Sequence, residues 1–194
     1  MTANIDKATL RRAAVMWAFV VQRQADRLYE AISEFNAAAH DQVFLDARAA
    51  GTLANEWQSY VDEKVGKGMS WDVAWTAGAD QYFFLAAAAQ LRKCALRLSD
   101  DGLPEPPNER MILLLRNFTE HWEDPTGRSA VELRSTVPDA APGRLAYTKH
   151  DIEIEGVSMY DIVDWSIEVD RVLRANAAQT DESLPDPRAA GGLG

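Results

Sequence analysis

The stretch Asp80-Gln81-Tyr82-Phe83-Phe84-Leu85-Ala86-Ala87-Ala88-Ala89-Gln90-Leu91-Arg92-Lys93-Cys94-Ala95-Leu96-Arg97-Leu98 decides the fold. It holds neither proline nor glycine and is rich in alanine, the strongest helix former. Projected at about 100° per residue from Asp80, Phe84, Ala87, Leu91, Cys94, Ala95 and Leu98 share one stripe, flanked by Phe83 and Ala88. A single apolar stripe of that length is the inward side of a long bundle helix. Ser70 is a cap candidate for its start. Val73 stands where a capping box wants Glu or Gln, so the signal is partial. Ser99-Asp100-Asp101-Gly102 and the Pro104, Pro106, Pro107 cluster impose the turn that follows.

Working outward, residues Asn4 to Ala39 read as another long helix, with Leu10, Ala13, Ala14, Trp17, Val20, Val21, Leu28, Ile32 and Phe35 at helical spacing. A second helix is expected over about Asp41 to Val65, and a fourth over about Pro107 to Asp124, opened by proline in its first turn. Residues 125–143 show no period and read as a loop. Leu145, Tyr147, Ile152, Ile154 and Val157 alternate in part with polar residues, predicting a short β-hairpin. A last amphipathic helix spans about Ser158 to Ala175. The expected fold is all-α: an up-down bundle of four long helices with a hairpin and C-terminal helix at about 144–175. One domain over 1–176 is followed by a tail at 177–194, where Gln, Thr, Asp, Pro and Gly predict disorder.

Composition limits the function. The chain has 194 residues, 47% of them hydrophobic, enough for a core that needs no disulfide or metal. The single Cys94 and three scattered histidines argue against a structural zinc site. No apolar run approaches the ~20 residues of a membrane span. No leader is legible where Asn4-Ile5-Asp6-Lys7 runs into Arg11 and Arg12, which predicts a reduced, cytoplasmic location. The net charge of −10 excludes broad, field-driven binding of nucleic acid and leaves only a local site. Six acidic residues (Asp151, Glu153, Glu155, Asp161, Asp164 and Glu168) fall along the hairpin and last helix. There is no phosphate-binding glycine loop, nucleophile elbow or histidine pair at metal spacing, and no cofactor is implied. Cys94 falls on the core stripe, while His40 and His150 sit at a helix junction and a turn.

The fourth helix is where chemistry concentrates. In Met111-Ile112-Leu113-Leu114-Leu115-Arg116-Asn117-Phe118-Thr119-Glu120-His121-Trp122-Glu123-Asp124, the core stripe is Met111, Leu114, Leu115, Phe118 and Trp122. Asn117 and His121 lie together on one edge of it. Arg116 projects roughly 100° further round, beside Glu120. Arg116 and Glu120 are four apart, the spacing of a helix-surface ion pair, and His121 could simply end the helix.

An arginine, a polar residue after it and a histidine a little beyond form the motif of the HEPN superfamily (higher eukaryotes and prokaryotes nucleotide-binding). Arg116-Asn117-Phe118-Thr119-Glu120-His121 resembles it, and the segment from Asp80-Gln81-Tyr82-Phe83-Phe84 through the proline-bearing turn resembles bacterial HEPN-like proteins over about residues 70–125. The hairpin and last helix are similar to an element some of them carry. The resemblance implies a two-fold homodimer whose motifs share a cleft, and a metal-independent ribonuclease of a toxin–antitoxin or defence system. His121 would then take a 2′-hydroxyl proton, Arg116 would neutralise the phosphate and Asn117 would hold either by hydrogen bond. Asp80, on the packed stripe, is expected either to reach solvent at the bundle edge or to orient His121 or pair with Arg116. Glu120 beside His121 could keep a phosphate away, and Trp71, Trp75 and Trp122 are expected to pack around the same end. The alternative is a non-catalytic helical interaction protein with a degenerate motif.

Overall fold

A computed structural model of the chain describes residues 5–49, 71–121, 124, 126–140, 146–147 and 152–189, with the side chains of 34–49, 71–75 and 146–147 left aside. The fold is all-α with a small sheet. In chain order come α1 (Lys7–Ala49), α2 (Trp71–Arg97), a 3-10 turn (Ser99–Asp101), α3 (Glu109–Glu120), α4 (Arg128–Thr136), three short strands and α5 (Met159–Thr180). Helix α1 packs most extensively on α2 and then on α5, while α2 carries α3 and α3 carries α4.

The stripe on α2 is the centre of the core. Phe84, Leu91 and Leu98 are fully buried, and Ala87, Cys94 and Ala95 are buried with them. Burial pushes the Cys94 thiol up, which keeps it in the protonated, unreactive form. Phe83, placed on the flank of the stripe by projection, is half exposed. On α1, Leu10, Ala14, Val21, Leu28 and Ile32 face this core, and α5 adds Ile162, Trp165, Val169 and Leu173. Ile167 on the same helix faces outward.

Several boundaries differ from the sequence reading. The break expected at His40-Asp41 does not exist, because α1 runs on to Ala49 and no proline or glycine interrupts it. The remainder of the expected second helix, residues 50–65, lies outside the described residues, as does the Ser70 cap. The loop expected at 125–143 contains α4, whose Ala130 and Leu133 are buried. Nine residues are too few to display a helical period. Finally, α5 continues to Thr180, and residues 181–189 lie against the bundle where a disordered tail was expected: Arg188 Nη2 donates to Gln22 Oε1 at 2.9 Å and Leu184 packs on the core.

The small sheet has the order β1 (Ala146–Tyr147), β2 (Ile152–Ile154), β3 (Val157–Ser158), antiparallel throughout. The expected hairpin is thus extended by a third strand. Glu155 and Gly156, both with positive φ, form the two-residue turn that reverses the chain between β2 and β3. Ile152, Ile154 and Val157 are buried beneath α5. Ser158 caps α5, its hydroxyl accepting from Asp161 N at 3.0 Å. No helix among the described residues is long and apolar enough to cross a membrane.

Candidate functional site

Helix α3 ends at Glu120, earlier than the expected Asp124. Pro125 bars the helix from running past Asp124, since the residue before a proline is pushed out of the helical conformation. His121 is the C-cap, with φ −113° and ψ 43°, and its N–H donates to Asn117 O at 3.0 Å. Leaving the helical path alters where its ring goes. An ideal helix would separate Arg116 and His121; here Arg116 pairs with the Glu120 carboxylate and the His121 ring lies beside it. Arg116 Nη1 is 2.6 Å from Glu120 Oε2, and His121 Nε2 is 3.9 Å from that same oxygen.

The cluster has local members on α3 and one from α2. Arg116 Nη2 donates to Glu120 Oε1 at 2.9 Å, and Nη1 donates to Asn117 Oδ1 at 2.9 Å. From α2, the Tyr82 hydroxyl donates to Glu120 Oε1 at 3.4 Å. The Arg116 and Glu120 side chains are 27% and 31% exposed, and that of His121 is 65% exposed. The site is thus a surface feature on top of the core formed by Leu114, Leu115 and Phe118, open to a ligand from solvent. On the far side of α3, Arg134 from α4 lies over the Phe118 ring at 5.5 Å.

Arg116, Asn117, Glu120 and His121 therefore come together. Asp80 does not join them: it is buried and neither reaches solvent nor pairs with Arg116, because Arg27 of α1 projects Nη2 to within 3.0 Å of its Oδ1. The side chains of Trp71 and Trp75, and all of Trp122, fall outside the described residues. Tyr82 is the member that sequence reading missed. It sits two residues after Asp80 in the segment that carries the resemblance, but nothing in its spacing links it to Glu120. Among the described residues no group of three or more His, Cys, Asp or Glu side chains could hold a metal ion.

Comparison with family models, with curated proteins and with solved structures finds no match. The functional reading accordingly rests on the site itself.

A second ionic cluster lies at the other end of the bundle. Asp101, in the 3-10 turn, is buried and accepts from Arg11 Nε at 2.7 Å and Nη2 at 3.1 Å, with Lys7 Nζ at 2.6 Å. Arg11 Nη1 also reaches Glu182 Oε2 at 2.7 Å, and Asn176 Nδ2 donates to the Asp101 carbonyl at 2.9 Å. Burial alone would raise the Asp101 carboxyl, but the bonds and charges of Arg11 and Lys7 outweigh it and hold the group below the usual carboxylate range. The same contacts raise Arg11.

Proposed function

We propose that this chain is a HEPN-like, metal-independent endoribonuclease that acts as a homodimer in the cytoplasm of a bacterium, within a toxin–antitoxin or defence system. The observation that carries the reading is the convergence of Arg116 and His121 on one oxygen of a solvent-accessible carboxylate. A phosphate oxygen standing in that position lies within hydrogen-bond distance of the guanidinium, with the His121 imidazole 3.9 Å away at the solvent-facing edge. That pairing serves RNA cleavage. The neutral imidazole of His121 takes the 2′-hydroxyl proton, and the 2′-oxygen attacks the adjacent phosphorus. The P–O5′ bond breaks, and the 5′-oxygen leaves with a proton returned by an imidazolium. The products are a 2′,3′-cyclic phosphate and a 5′-hydroxyl end. Arg116 offers a planar fork that neutralises charge growing on the non-bridging oxygens. Asn117 holds that fork in place. A local cleft of this kind is compatible with a net charge of −10, since it requires no basic field over the surface.

Expression of the wild-type chain and of His121→Ala in a bacterial host, without any antitoxin, tests this. The wild type slows growth and degrades RNA, whereas the variant does neither. Equal growth and intact RNA in both would overturn the reading.

A non-catalytic interaction protein is the second reading, and one feature favours it. An open groove of about 600 Å³ between α1 and α5 has an apolar side of Met159, Tyr160, Val163 and Ile167 and a charged side of Arg23, Asp26, Arg27 and Glu30, a mixed lining suited to a protein partner. None of its lining comes from α3, so a partner seated there would leave the Arg116–His121 surface uncovered.

A further inference from the structure

We propose that the Glu120 carboxylate is a built-in, displaceable occupant of a phosphate site, and that the Tyr82 hydroxyl belongs to that site. The proposal rests on reading the Arg116–His121 surface as a phosphate site, but it does not require cleavage.

Three groups from two helices surround this one carboxylate. Oε1 accepts from Arg116 Nη2 and from the Tyr82 hydroxyl, and Oε2 faces Arg116 Nη1 and His121 Nε2. Each of these groups can donate a hydrogen bond. The fork of an arginine engages a carboxylate and a phosphate in the same two-point manner. Glu120 thus occupies the place that a phosphodiester of single-stranded RNA would take, held by Arg116 and Tyr82 with His121 3.9 Å away at its edge.

Glu120 is also poorly favoured where it stands. As the last residue of α3 it faces the negative end of the helix dipole, which disfavours an anion. With arginine preceding glutamate by four residues, the pair runs in the less favourable order along a helix. Nearly a third of each side chain meets solvent, so water and salt weaken the attraction. A carboxylate held in this way closes the site to stray anions and gives way to a phosphate that brings further contacts with it. Tyr82 remains after the exchange, anchored on α2 and able to donate to a phosphate oxygen in place of Glu120.

The test is binding of a fluorescent 12-nucleotide 2′-O-methyl RNA, which lacks the attacking hydroxyl and so cannot be cut. Glu120→Gln binds it roughly tenfold tighter than wild type, the scale of one charge-assisted hydrogen bond. Adding Arg116→Ala abolishes that gain, and adding Tyr82→Phe reduces it about threefold. Asp164→Asn, which removes a remote exposed charge on α5, leaves affinity within about twofold of wild type and controls for bulk charge. Glu120→Ala serves as the second variant, and helical circular dichroism confirms that each protein is folded. Unchanged binding by both Glu120 variants, a gain that survives loss of Arg116, or an equal gain from Asp164→Asn would overturn the proposal. The two readings fail separately. Cleavage through His121 with no gain from Glu120→Gln discards the occupied site alone, whereas tight binding without cleavage discards the nuclease alone.

Discussion

Among the described residues, the arginine–carboxylate clusters around Asp101 and around Glu120 are built from the same chemistry and used differently. Around Asp101, Arg11 ties together the first turns of α1, the turn after α2 and the segment beyond α5, and the Asp101 side chain is only 2% exposed. Around Glu120, Arg116 binds a residue one helical turn away, and water reaches every member. A buried ion pair joining segments 90 residues apart is a clamp, because losing one partner strands a charge away from water. A half-buried pair four residues apart on one helix, tied to a second helix only by the long Tyr82 bond, adds little to stability, since such pairs contribute only tenths of a kcal/mol. Ionic contacts that stability does not require are the ones available for binding and chemistry.

The largest effect expected from breaking this contrast comes from Arg11→Met. It leaves the Asp101 carboxylate buried with Lys7 as its remaining cation, and we expect a loss of about 3 kcal/mol in urea unfolding at pH 7. The pH dependence of that loss sharpens the contrast. Because Arg11 and Lys7 hold the Asp101 carboxyl below its ordinary value, the clamp contributes fully above about pH 4 and is lost as pH falls through the lowered folded value. The gap between wild type and Arg11→Met therefore narrows on acidification from pH 5 to pH 3. A gap of constant size would place the effect in packing of the arginine stem instead.

Next in size is Gly156→Ala. Gly156 has a φ of +80° with no heavy atom within 4 Å of an added Cβ. Backbone strain is thus the only cost, about 1 kcal/mol, read as a lower thermal midpoint. Smallest is Glu120→Gln, expected to change unfolding free energy by less than about 0.5 kcal/mol. A loss comparable to that of Arg11→Met would make the second cluster a clamp as well and remove the contrast.

The core was legible in the sequence because it repeats locally: Phe84, Leu91 and Leu98 recur on one stripe, and all are fully buried. Elements that announce themselves through a short or distant signal were not. Helix α4 offers only Ala130 and Leu133 as buried residues, fewer than a period needs. The Arg11–Asp101 clamp joins residues far apart in the chain, and no spacing encodes it. Within the site, Arg116 and Glu120 were placed together by their i,i+4 spacing. The position of His121 was not legible, because the projection carried the helix on to Asp124 whereas His121 leaves the helical path as the C-cap. Tyr82 was missed because its contact with Glu120 depends on how α2 and α3 cross. Asp80 was correctly placed on the packed face, but its partner, Arg27, comes from α1.

The central claim is that the Arg116–His121 surface cuts RNA, and the most direct measurement is cleavage of a 5′-labelled single-stranded RNA by the purified chain in the presence of EDTA. The account predicts fragments ending in a 2′,3′-cyclic phosphate from the wild type, and a loss of at least about a hundredfold in rate for His121→Ala. Undiminished cleavage by His121→Ala, or no cleavage by the folded wild-type protein, would contradict it.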